Sequence, residues 1–191
     1  TDTDTDISPD SCNDNAVIVE INGTGQRFSA FAWVENSRGF HVQAWVADGE
    51  DGCTLAQNPG DYVGANMRIL VYGDASEGDV VSITEPVPPS GESDYTAEVL
   101  IDDSSTGTTL LSVADGSNFE ISSLQSGGDL QITSFDVNFD DGSLIKPSDF
   151  FACYCDSVGD VPDPGDGPAD DEGGEGDEGG EGGEGGEGGE G

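Results

Sequence analysis

Residues 27–47 read RFSAFAWVE, NSRG and FHVQAWVA in succession. In the first run Phe28, Ala30, Ala32 and Val34 fall on one side, Phe31 and Trp33 on the other. In the last, Phe40, Val42, Ala44 and Val46 oppose His41, Gln43 and Trp45. Period-two alternation is the signature of a strand, because successive side chains point to opposite faces of a sheet. With NSRG as the turn, the segment is expected to form a β-hairpin.

The same alternation recurs along the chain. Val17, Val19 and Ile21 share a face in 15–22, and further strands are expected at 66–72, 79–85, 94–102, 108–114 and 118–122. In 129–139 (DLQITSFDVNF), Phe135, Val137 and Phe139 alternate with Ser134, Asp136 and Asn138. The turn DDGS (140–143) then leads into a strand over 144–155. No window shows a helical period, turn residues recur about every ten positions, and PVPP at 86–89 reads as a loop. Many short strands at that spacing predict an all-β fold, an antiparallel two-sheet β-sandwich of Ig-like or jelly-roll-like type, with a β-barrel as the alternative.

The ends differ from the middle. Residues 1–11 (TDTDTDISPDS) are a Thr/Asp leader. Residues 156–191 hold no aromatic residue and, beside prolines, only Val158, Val161 and Ala169 as aliphatic side chains. Such composition does not offset chain entropy, so both ends are expected to be disordered around a folded domain at 12–155. Glycine occupies every third position from Gly173 to Gly191, which is the collagen period. The intervening Gly, Asp and Glu lack the imino acids that stiffen collagen, so the tail reads as a flexible charged linker that stops in mid-repeat.

Charge sets the possible partners. The chain has 41 acidic residues against three Arg and one Lys; residues 16–155 keep 22 acidic against those four basic, a net charge of −18. Such a field repels nucleic acid and anionic membrane, which bind by matching phosphates with Lys and Arg. One Lys with surplus Asp suits a salt-adapted surface, since salt screens self-repulsion.

Four cysteines, Cys12, Cys53, Cys153 and Cys155, in a chain that reads as a mature exported product indicate disulfides. Cys153 and Cys155 share a strand face and bridge poorly to each other, so one is expected to pair with Cys12 and the other with Cys53. A zinc site needs two close ligand pairs, and Cys12 and Cys53 stand alone beside a single His.

Chemistry-bearing motifs are sparse. The chain shows no G-x-S-x-G, H-E-x-x-H or P-loop, and the expectation is a protein that is not an enzyme. A carboxylate-pair hydrolase is the weakest alternative. Phe31, Trp33, His41 and Trp45 form the best binding candidate, because aromatic strips on β-sandwiches stack sugar rings. If Glu35 pairs with Phe40, the two tryptophans lie on opposite faces, and if the register shifts by one they share a face; the hairpin is apolar on both faces, which suits a core element better. Asp136, Asn138, Asp140 and Asp141 resemble the start of a calcium loop. Asp141 stands where Gly should turn the chain and Pro147 stands at the twelfth position, so a strand edge with a D-G turn is the stronger reading. Asp102, Asp103 and the loop 48–51 are weaker calcium candidates, and no other cofactor is expected. Asn22-Gly23-Thr24 matches a glycosylation triplet.

The order Pro59-Gly60-Asp61-Tyr62, then Leu130-Gln131-Ile132-Thr133-Ser134-Phe135, then Phe139-Asp140-Asp141-Gly142-Ser143 and a final cysteine-bearing strand resembles uncharacterised β-sandwich lipoproteins and secreted proteins of myxobacteria-like Gram-negative bacteria. The similarity spans about 53–155, with Leu144-Ile145-Lys146-Pro147 replacing the usual small residues. The Thr/Asp leader is similar to the spacer behind a lipid-anchored cysteine. The resemblance implies an extracellular or outer-membrane-surface address and no known activity. The function expected is a structural or interaction domain; the alternative is a carbohydrate-binding or adhesion module, calcium-dependent in one form. A polysaccharide or another surface protein is the matching partner.

Overall fold

The computed structural model describes residues 16–36, 38–47, 49–58, 62–84, 96–103, 107–110 and 116–159. Eleven strands and one short helix follow in order: β1 (Val17–Ile21), β2 (Thr24–Phe28), β3 (Ala30–Asn36), β4 (Gly39–Trp45), α1 (Gly52–Gln57), β5 (Ala65–Tyr72), β6 (Val80–Ile83), β7 (Thr96–Asp103), β8 (Thr108–Leu110), β9 (Asn118–Leu124), β10 (Asp129–Asn138) and β11 (Leu144–Tyr154). The all-β expectation holds.

The expected two-sheet sandwich does not. Hydrogen-bonded neighbours run β3-β4-β5-β7-β6-β9-β10-β11, and β11 pairs in parallel with β3, which closes a ring of eight strands. The barrel alternative describes this connectivity. A sandwich leaves edges between its sheets, whereas closure pairs them. The closing strand is β11, whose eleven residues serve three neighbours: β10 along much of its length, β1 at Leu144–Ile145 and β3 at Cys153–Tyr154. β2 and β3 are successive pieces of one kinked path, and β1 enters as a wedge where that path diverges from β11.

The kink corrects the single strand expected over 27–35. Ser29 lies between β2 and β3, its N–H donating to Trp45 O at 3.0 Å and its hydroxyl to Ala47 O. The face parity changes there. Phe28 joins the barrel interior with Phe31 and Trp33, while Ala30, Ala32 and Val34 belong to a second cluster on the outer face. A matching break occurs in β10. Leu130 and Ile132 point inward at even positions, Phe135 and Val137 at odd ones, and all four are fully buried. A β-bulge at Ser134 (φ +56°) absorbs the extra residue, and Asp149 Oδ1 accepts the Ser134 N–H at 2.9 Å.

The interior sets a cluster of aromatic rings among aliphatic side chains. Phe31 stacks on Phe150 at 4.7 Å between ring centroids, and Phe135 meets Phe150 and Phe119 edge-on at 5.5 and 5.9 Å. Each fully buried ring of this kind contributes about 2–3 kcal/mol through removal of apolar surface from water.

Two local elements were not expected. Asn22 (φ +50°) and Gly23 (φ +78°) form a two-residue turn between β1 and β2, the conformation Asn-Gly adopts best. The other is α1. Its N-cap Asp51 accepts from the Cys53 and Thr54 amides at 3.4 and 3.3 Å, and Leu55 and Ala56 pack onto the outer face of β3 and β4. Six residues are too few to register as a helical period.

Candidate functional site

The aromatic hairpin forms with Glu35 opposite Phe40 and Trp33 opposite Val42. Trp33 therefore points into the barrel and Trp45 out of it. Trp33 is fully buried, its Nε1–H donates to Gly128 O at 2.9 Å, and Phe40 and Tyr154 meet it edge-on. Trp45, 1% exposed, lies in the outer cluster with Leu55 and Ala56 of α1. Phe31 is buried on Phe150, and His41 is only 6% exposed. The proposed ligand strip of Phe31, Trp33, His41 and Trp45 is thus corrected: the four are packed on two faces and present no common surface. Burial removes more apolar area from water than a solvent-facing strip would.

His41 is the unusual member. Its Nδ1 lies 2.8 Å from Gly159 O. A carbonyl only accepts, so Nδ1 carries the proton and the neutral ring leaves Nε2 as a bare acceptor. Nε2 is buried without a hydrogen-bond partner. Burial lowers the His41 pKa to about 4, opposed by the Gly159 hydrogen bond and reinforced by the Arg68 charge. The chain that covers it is 155–159, where Val158 is 2% exposed and packs in the same outer cluster as Val34 and Cys155. The folded chain therefore runs past Cys155, into the segment assigned to the acidic tail. The leader and the tail from residue 160 onward lie outside the described residues.

The acidic loop has a structural role. Val137 and Phe139 point inward, while Asn138, Asp140 and Asp141 are exposed and Asp136 is half-buried. Asp141 accepts from Ser143 N at 2.9 Å and Ser143 Oγ at 3.2 Å, closing a turn in which Gly142 sits at φ +86°. Among the described residues no three His, Cys, Asp or Glu side chains gather as a metal site. The calcium reading of Asp136, Asn138, Asp140 and Asp141 gives way to a strand edge and a D-G turn. Of the weaker candidates, Asp51 caps α1, Asp103 accepts from Gln26 Nε2 at 3.3 Å, and Asp102 bonds Arg68 at 2.8 Å and Thr109 at 2.9 Å.

Cys53 and Cys155 form a disulfide with 5.6 Å between Cα atoms, so Cys53 pairs with one of the close cysteines as expected. Cys153 is disulfide-bonded as well, and the described residues hold no free thiol. Cys12, the one cysteine left in the sequence, lies outside the described residues.

The bridge pins α1 beside a surface recess of about 620 Å³, lined by Val46, Ala47, Glu50, Thr54, Leu55, Asn58, Tyr62 and Val63. Tyr62 Oη lies 3.0 Å from Val46 O and 2.9 Å from Ala65 O, which fixes one wall. Val63 is 80% and Val46 37% exposed, two of the three exposed large apolar side chains among the described residues. Sequence reading missed this site because its wall is α1. The available signal was Asp51 as an N-cap ahead of Leu55 and Ala56.

No protein-family model, curated protein or solved structure matches this chain.

Proposed function

We propose that the chain is a non-enzymatic extracytoplasmic interaction domain, secreted or displayed at the cell surface, with its acidic ends acting as spacers. The observation that carries this reading is the Cys53–Cys155 bridge beside the surface recess at which Val46 and Val63 are exposed. Disulfides persist in oxidising compartments, and this one holds the helix that walls the recess. An acidic surface keeps such a domain soluble and away from anionic membranes. The resemblance to secreted and lipid-anchored proteins points to the same address. Sugar binding through Trp33 and Trp45 loses its residues to the core, which favours a protein partner at the recess.

Two measurements test the proposal. Thiol alkylation and protease shaving of intact source cells should find the cysteines blocked and the domain cleaved from outside; a reduced, protected protein refutes the address. A photo-cross-linking side chain at position 63 should then give a discrete adduct on cells that the same probe at exposed Val80 does not. Equal labelling from both positions removes the interaction role.

A further inference from the structure

The outer face of β4 carries one titratable side chain, His41, whose only hydrogen-bond partner among the described residues is the segment that leads into the acidic tail. We propose that residues 156–159 form a strap latched to the barrel by His41, and that acid opens this latch while the barrel stays folded. The geometry specifies the parts. The Nδ1–H of His41 holds Gly159 O at 2.8 Å, Val158 seats in the outer cluster, and the Val158 N–H donates to Cys155 O at 3.1 Å. Cys155 itself is tied to Cys53, so opening is confined to the four residues beyond the bridge.

Protonation acts at Nε2. That atom is buried with no acceptor in reach, so a second N–H there is left unsatisfied. Lifting the strap exposes the ring and lets water solvate the new charge. The surroundings give no compensating contact. Opposite His41 stand Val34 on β3 and Leu70 on β5, both apolar. The charged and titratable groups on that outer face are Arg68 and Tyr72 of β5 and Glu98 and Asp102 of β7, with Arg68 paired to Asp102 at 2.8 Å, and the strap itself carries Asp156. Of these, Arg68 acts on His41 and disfavours its protonation. Tyr72 and Glu98 face each other at 3.5 Å.

The sign follows from linkage. The closed strap holds His41 with a pKa of about 4, and the open strap leaves it near the ordinary 6.5. The closed state binds fewer protons, so it is fully favoured above pH 6.5 and loses ground progressively as pH falls toward 4. Between pH 7 and pH 5 the opening equilibrium rises by about 20-fold.

Amide hydrogen exchange of the full chain, followed by NMR and corrected for intrinsic rates, tests the latch. Protection of the Val158 amide should fall about 20-fold from pH 7 to pH 5 and stay well below that of Val42 in the core at each pH, because Val158 exchanges when the strap opens and Val42 only when the barrel unfolds. His41→Asn keeps a donor near the Nδ1 position and removes the titration, so it should abolish the pH dependence. Equal protection at Val158 and Val42, or the same pH-dependent loss in His41→Asn, overturns the proposal. If that variant fails to fold, the His41 ring resonances of the native chain decide: titration near 4 with the proton on Nδ1 supports the latch, and titration near 6.5 overturns it.

Discussion

At the scale of single residues, the positions that offered chemistry carry packing. Trp33 and Trp45 are both buried, on opposite faces of the same hairpin. Native fluorescence should therefore be blue-shifted and resist acrylamide quenching; red-shifted, readily quenched emission would contradict their placement. Gly52 gives a sharper test. A Cβ there would lie 2.6 Å from both the carbonyl carbon and oxygen of Phe31, so α1 touches β3 backbone to backbone. Gly52→Ala should cost about 1–3 kcal/mol, read as a lower urea midpoint with an unchanged slope. His41 makes stability depend on pH. Its lowered pKa means that stability is intact above pH 6.5 and declines toward pH 4, as equilibrium unfolding across that range should show.

At the scale of elements, the strands were legible and their irregularities were not. Alternating apolar residues located β3, β4, β5 and β9 to within a residue or two at most ends, because one buried face per strand is written directly into the pattern. The kink at Ser29 and the bulge at Ser134 each shift the alternation by one, and a reading that extends one phase across them misassigns Phe28. The Asn22-Gly23 turn is present in the sequence as hairpin chemistry that the overlapping glycosylation triplet obscures. Gly23→Ala should destabilise the hairpin by about 1 kcal/mol or more, since φ +78° suits Gly and strains Ala; a thermal melt checks this. For α1, the bridge matters more than helix propensity. Cys53–Cys155 closes a loop of 102 residues, worth about 4–5 kcal/mol in the chain-entropy model. Cys53→Ser should lower the melting temperature markedly and give α1 amides that exchange well before those of the barrel.

At the scale of the whole molecule, charge and topology separate cleanly. A net charge of −37 repels itself in dilute buffer, and raising salt shortens the screening length from about 10 Å at 0.1 M to about 3 Å at 1 M. The urea midpoint should therefore climb steadily with sodium chloride over that range, and a flat response would remove the salt-adapted reading. The sequence by itself determined the all-β class, the positions of most strands, the acidic surface and the partnering of Cys53 with one of the close cysteines. These depend on composition and on neighbours two residues apart, which any reader of the chain can see. The tertiary structure decided the ring closure through β11, the choice of Cys155 for Cys53, the burial of Trp45 beneath α1 and the contact of His41 with Gly159. Each joins segments about a hundred residues apart, or depends on which strand lies beside which, and local alternation fixes a side chain's face without naming the neighbour it meets.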